Sequence, residues 1–279
     1  MLKTLSKWVR RAIGDPRPIP DSLWLSTLLH YAFLARLSSP EQARLRQLAT
    51  HFLDRKEFTG VHGLQVTDAM AVAVAAQACL PLLHLGDADT PATALHWYDD
   101  FVGIVMHPGS AVARRHVMDG AGVVHAYDEV LAGEAMHRGP VMLSWPAVQQ
   151  AGSDAHAGYS VVIHEFVHKM DMQDGGADGA PPLPRGFMGA RGPREAARHW
   201  ARTWAPAYER FREQLITAQR FGTPAPWLDA YGASAPEEFF AVACEAHFVQ
   251  PERFAAEFPE LSTALRAFFR QPHPPESSR

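Results

Sequence analysis

The stretch that most constrains this chain is His164-Glu165-Phe166-Val167-His168, of the form H-E-x-x-H. On a helix, residues four apart project from one face a single turn apart, so the two imidazoles are spaced to share one divalent cation. Zinc suits such donors. It takes neutral imidazole nitrogen and prefers four ligands, and a catalytic site draws three from the protein and leaves one position for water. Glu165 then stands beside that water, where a carboxylate can serve as general base on a molecule whose pKa the metal has lowered. Three specified positions recur by chance in roughly 4% of chains of this size and composition, so the motif needs a helical setting. Ile163, Phe166, Val167 and Met170 supply it, recurring at i, i+3, i+4 and i+7 as a stripe packed against a core. Asp171, three residues after His168, is either an acceptor for the outer nitrogen of a ligand histidine or a solvated charge at the helix end.

The remaining composition narrows the setting. With 279 residues, 47% hydrophobic and 20% charged, the chain is long enough for one large core or two small ones. Its net charge of -4 gives no reason to expect direct nucleic-acid binding. Cys79 and Cys244 sit among apolar residues and cannot build a disulfide framework, which points to free buried thiols in a reducing, cytoplasmic compartment. Met1–Ile13 mixes Lys3, Lys7, Arg10 and Arg11 with apolar residues but lacks the continuous apolar run of a signal peptide. It reads as a frayed terminal helix or a basic amphipathic helix able to touch a membrane surface. Ala69–Leu85 is interrupted by Gln77, Pro81 and His84 and falls short of the roughly 20 residues a spanning helix needs; it reads as a buried helix broken near Pro81.

Along the chain, residues 1–20 form a basic segment and a proline-rich linker, residues 21–96 a helical region, residues 97–271 the region bearing the motif, and residues 272–279 a loose tail. The motif region and the helical region are expected to form one compact unit. One helix is expected from Asp21 or Ser22 to about Leu37, and a second to about Lys56, opened by the capping-box pair Ser38 and Glu41. From Trp97 the period changes: Phe101–Met106, Val123–Val130 and Gly139–Trp145 read as short strands. The last precedes the motif helix, either as an internal strand or as an edge that pairs with an extended substrate. Residues 174–193, rich in Gly, Asp, Ala and Pro, fit no regular element and are either a lid or an insertion without a role. Glu195–Arg220 reads as a long helix with Trp200, Trp204, Tyr208, Phe211 and Leu215 along its core side.

Two histidines do not complete a catalytic site. Ser234-Ala235-Pro236-Glu237-Glu238 opens a helix running to about Val249. Ser234 and Glu237 have capping-box spacing, which assigns Glu237 to the cap and leaves Glu238 free on another face. Glu245 lies roughly 10 Å further along the axis, so both cannot easily bind one ion. Glu238 is taken as the third ligand and Glu245 as an outer partner. Tyr231, in the turn before this helix, is either an oxyanion donor or a packing residue with a wet hydroxyl.

The segments Val123–His125, Gly139–Trp145, Ile163–Asp171 and Asp229–Val242 together resemble the Mlc titration factor A (MtfA) family, and the likeness covers most of the chain. The resemblance implies an α+β, zincin-like fold with an HExxH helix, a small mixed sheet and a helical N-terminal region. It implies a zinc peptidase of the HExxH…E (gluzincin) type, aminopeptidase-like, with a catalytic domain similar to that of anthrax lethal factor. One zinc ion would be held by His164, His168 and Glu238, with Glu165 as base and Tyr231 as transition-state donor. It adds His125, which matches a family histidine counted among the metal-binding positions, as a fourth ligand of a latent state. The implied partners are a peptide substrate and a transcriptional repressor of the Mlc type, with a role in glucose-uptake gene expression. The alternative function is a regulatory protein that sequesters such a repressor. Compared with the family, this chain has a longer stretch from His168 to Glu238, owing to the Gly/Pro-rich insertion.

Overall fold

The computed structural model describes residues 16–109, 111–118, 124–153 and 158–272; side chains of residues 111–131 are outside the description. The basic segment Met1–Ile13 and the tail beyond Pro272 therefore lie outside the described residues.

Helix α1 (Asp21–His30) and the short α2 (Ala32–Ala35) replace the single expected helix. The break falls at Tyr31, whose backbone leaves helical dihedrals (φ -111°, ψ 90°) while its ring turns into the core and its hydroxyl donates to the Val148 carbonyl. Helix α3 (Ser39–Arg55) opens with the Ser38/Glu41 capping box, and α4 (Asp68–Cys79) is capped by the Thr67 hydroxyl and stops before Pro81.

The strands are β1 (Glu57–Gly60), β2 (Gly103–His107), β3 (Ala111–Met118), β4 (Val124–Leu131), β5 (Gly133–Ala135) and β6 (Val141–Ser144). Strands β3 and β4 form an antiparallel ribbon by themselves. The main sheet runs β1-β2-β6-β5, with two parallel pairings and one antiparallel, so it is small and mixed. The Gly139–Trp145 segment is thus an internal strand. The three-residue β5 takes the edge beside it, and it is too short to carry a period signal of its own.

Helix α5 (Trp145–Ser153) intervenes between β6 and the motif helix α6 (Val161–Asp171). All of α6 is buried, and the Ser160 hydroxyl caps it by accepting from the Ile163 N–H. Its apolar stripe enters an aromatic cluster: Phe166 lies 5.6 Å from Phe52, 5.0 Å from Tyr98 and 5.9 Å from Phe101, ring centre to ring centre. Burying a Phe side chain contributes roughly 2–3 kcal/mol, so this cluster sets the helix against the sheet and the N-terminal helices.

The long α7 (Pro193–Phe221) buries Trp200, Trp204, Phe211 and Leu215. It is followed by α8 (Pro236–Val249), α9 (Pro251–Glu257) and α10 (Pro259–Phe268). One cluster of buried side chains runs from Ile19 to Phe269 and draws on both sides of position 96. No helix among the described residues is long and apolar enough to cross a membrane.

The 174–193 stretch is strapped to the helices around the motif. The Asp171 carboxylate accepts the Asp178 and Gly179 N–H groups at 3.0 and 2.8 Å, and the Trp200 indole donates to the Gly179 carbonyl at 2.8 Å. Gly179 adopts φ +79°, and a Cβ there would fall 2.7 Å from the Pro236 carbonyl oxygen, so only glycine lets this loop close on the start of α8.

Candidate metal centre

Helix α6 delivers His164 and His168 to one face, and α8 crosses it to bring Glu238 against both. Glu238 Oε2 lies 2.9 Å from His164 Nε2 and 3.3 Å from His168 Nε2, and the two imidazole nitrogens are 3.1 Å apart. These donor atoms all fall within 4.8 Å of one another, a separation that one ion between them could bridge.

The outer contacts decide what these atoms can be. His164 Nδ1 is 2.8 Å from Glu245 Oε1, and a carboxylate can only accept, so Nδ1 carries the proton. In a neutral ring Nε2 then presents a lone pair, aimed at a carboxylate oxygen and at the second imidazole. Three electron-rich atoms converge, which is tolerable only around a positive charge. In the protein alone, a proton on His164 can supply that charge. Burial opposes a charged His164, but hydrogen bonds to Glu238 and Glu245 outweigh it and hold its pKa well above the ordinary imidazole value. Burial alone would raise Glu238, yet hydrogen bonds from His164 and His168 hold it well below the usual carboxylate range. The residues present therefore fit a divalent metal.

Glu245 is itself fixed: its Oε2 accepts the Ser160 N–H at 2.6 Å, and the Ser160 hydroxyl donates to Gln77 on α4 at 2.9 Å. A chain of hydrogen bonds thus runs from the N-terminal helices to His164. His168 is less supported, because its Nδ1 is buried with no partner among the described residues. Asp171 does not serve it. Its Oδ2 is taken by the Asp178 and Gly179 N–H groups, and its Oδ1 is also unpartnered among the described residues. The spacing to His168 is right, but the inserted loop claims the carboxylate.

Glu165 lines a cavity of about 430 Å³ together with His164, His168 and Glu238. Burial pushes its pKa up to about 8; His164 opposes this, and the Glu238 and Glu245 charges add to it. The backbone of β5 presses directly on this carboxylate: a Cβ at Gly133 would sit 2.6 Å from Glu165 Oε1. Tyr231 lies in a 3₁₀ turn (Ala230–Ala233), 41% exposed, with its ring 6.0 Å from that of His164, and it lines the same cavity.

The expected capping box at Ser234 and Glu237 does not form. Ser234 ends the 3₁₀ turn in helical geometry and donates its hydroxyl to the Tyr231 carbonyl, so Ala235 takes the cap position and Glu237 faces the cavity. His125 stands in β4 with Val117 as its register partner, and its side chain is outside the described residues. Sequence reasoning missed Gly133, Glu134, Tyr159 and Asp229, which complete the cavity wall from loops and an edge strand without any motif to mark them.

Comparison with known proteins points to a metallo-peptidase family. A family profile described as glucose-regulated metallo-peptidase M90 matches residues 5–270. Proteins named Mlc titration factor A are similar over most of their length. That from Klebsiella pneumoniae is 34% identical over 239 residues, covering 85% of this chain and 82% of the relative. That from Salmonella arizonae is 33% identical over 253 residues, covering 90% and 91%. That from Yersinia pestis is 30% identical over 266 residues, covering 95% and 90%. With a converging His-His-Glu set and a profile match spanning nearly the whole chain, this protein belongs to the glucose-regulated metallo-peptidase M90 family.

Proposed function

We propose that the protein is a zinc peptidase of the HExxH…E type, in which His164, His168 and Glu238 hold a single ion. The observation that carries this reading is the convergence of these three side chains on one point, with Glu165 buried beside them in an open cavity. Held there, zinc would supply Lewis acidity toward a carbonyl and toward water. Glu165 takes a proton from the water as its oxygen attacks the carbonyl carbon, and then passes that proton to the amine nitrogen as the C–N bond breaks. Tyr231 donates its phenol hydrogen to the oxyanion that forms in between. Glu245 keeps the proton on His164 Nδ1 and so keeps Nε2 free to bind metal.

The edge strand orients the substrate. Ser144 donates to Ala132 and Met136 to Pro140 across the β5/β6 ladder. Hydrogen-bonded pairs alternate in an antiparallel ladder, so Gly133 and Ala135 turn their backbone N–H and C=O groups toward the open edge. An extended peptide pairing there lies alongside Glu165. An acidic cavity wall of Glu134, Asp229 and Glu237 favours a cationic group on the substrate, which accords with attack next to a free amino terminus. The two buried free cysteines favour a cytoplasmic location.

The test is hydrolysis of amino-acid amides and short peptide amides by protein stripped of metal and then reconstituted with zinc. Hydrolysis is expected only with metal, and it should be lost in Glu165→Gln at unchanged zinc content. Hydrolysis indifferent to a chelator, or undiminished in that variant, sinks the proposal. A second reading rests on the relatives' name, which describes titration of Mlc: the chain binds a repressor of that type, with peptidase chemistry secondary. Retention of such a repressor by Glu165→Gln in a pull-down, with gene regulation unchanged, favours it.

A further inference from the structure

Lys169 directly follows the second motif histidine, yet it is fully buried. An ammonium taken out of water costs several kcal/mol unless it is paired and hydrogen-bonded, and Met or Leu would fill the same space at no such cost. Its partners are therefore informative. Its Nζ pairs with the Asp100 carboxylate, donates to the Met136 carbonyl at 2.8 Å, reaches the Gly139 carbonyl at 3.5 Å, and lies 4.7 Å from the centre of the Phe101 ring. Met136 and Gly139 are the ends of the turn that joins β5 to β6.

That turn is tight: the Gly139 N–H donates to the same Met136 carbonyl at 3.0 Å, and the backbone between them is strained. Arg138 sits in the left-handed region at φ +54°, and Gly139 packs so closely on Met136 that a Cβ would fall 2.7 Å from the Met136 Cβ. The strand it anchors is only three residues long and, among the described residues, pairs on one side alone. A short edge strand of this kind has little cohesion from its own ladder.

We propose that Lys169 is the positioning residue of the peptide-binding edge: from the motif helix it clamps the β5/β6 turn and so sets the outward backbone groups of Gly133 and Ala135 at a fixed distance from Glu165. This rests on the reading of β5 as the strand that pairs with substrate. The clamp acts on the edge and not on the ligands, since Lys169 contacts neither His164 nor Glu238. One helix then positions both halves of the reaction, the ligands through His164 and His168 and the substrate backbone through the next residue.

The experiment compares wild type with Lys169→Met, and with Lys169→Met/Asp100→Asn so that no buried carboxylate is left unpaired should the single variant fold poorly. Zinc content and circular dichroism establish that the variants are folded and loaded. Two readouts follow. The first is kcat/KM along a series of peptide amides of one to five residues. The second is binding of a fluorescent pentapeptide amide to the same variants made in the Glu165→Gln background, which needs no turnover.

Wild type is expected to gain with peptide length as more backbone pairs with the edge. The Lys169 variants should lose that gain, roughly tenfold or more at five residues and less than about threefold at one, and should bind the pentapeptide about tenfold more weakly. An unaltered length dependence together with unaltered binding overturns the proposal. So does a loss of equal size at every length, which is what general loosening would give. If no length is cleaved even by wild type but the pentapeptide binds and the Lys169 variants weaken it, the peptidase reading falls and the clamp stands.

Discussion

The two walls of the cleft are built on different principles. The helical wall, α6 and α8, is buried, and its side chains are held by one another: His164 uses both nitrogens, Glu245 both oxygens, and Ser160 and Gln77 continue the chain into the N-terminal helices. The strand wall presents backbone from β5, which has no outer partner strand among the described residues, joined by loop residues such as Tyr231 that stand partly in water. A metal site needs donor atoms fixed to a few tenths of an ångström, which a packed core supplies. A substrate wall must admit chains of many sequences, and backbone groups read peptides without reading side chains. On the proposed reading the cleft joins a rigid half to a permissive one.

Breaking the helical wall should have the largest effect. On the proposed ligand set, Glu238→Ala or His164→Ala should lower peptide hydrolysis by at least about 10³-fold with zinc content well below one ion per chain, read by metal analysis on the folded protein. Residual metal at full stoichiometry would show that the ligand set is wrong. Next comes Glu245→Ala, which leaves His164 without its outer acceptor. Zinc affinity, measured by competition with a chromogenic chelator, should drop about 10- to 100-fold while the three ligands remain.

The strand wall sharpens the contrast. Gly133→Ala pushes a methyl group against the Glu165 carboxylate, and kcat should fall roughly tenfold with zinc affinity unchanged, since the displaced group is not a ligand. If metal affinity falls instead, the two walls are not separable.

The smallest effect lies at the far end of α8, where burial pushes His247 down to about 4, the Gln271 hydrogen bond opposing. A group whose folded pKa lies below its unfolded value of 6.5 binds more protons when the chain unfolds, so stability is full above pH 6.5 and is lost as pH falls toward 4. Between pH 7 and 5.5 wild type should lose about 1 kcal/mol more stability than His247→Gln in urea titrations.

Much of the helical wall was legible in advance because its information is local. The spacing of His164 and His168 and the apolar stripe through Phe166 and Val167 each depend on residues within a turn or two, as does the Ser38/Glu41 box elsewhere in the fold. The strand wall was not, because β5 is shorter than any period and Gly133 matters only through what lies across from it. Local patterns misled where a tertiary contact competed. Tyr31 breaks a helix to bury its ring, Ser234 is drawn into a 3₁₀ turn before it can cap α8, and Asp171 is claimed by a loop seven residues on.

What the sequence alone determined is which atoms are available: two imidazoles one helical turn apart with a carboxylate between them, on a helix with one face fit for burial. That is a property of helix geometry and needs no partner. Only the tertiary structure decided that Glu238 meets both imidazoles, that Glu245 stands behind the first, and that the edge beside Glu165 is β5 and not β6. The glutamate contacts join residues 70 to 81 positions apart, and they are fixed by how α6, α8 and the sheet pack around one shared core.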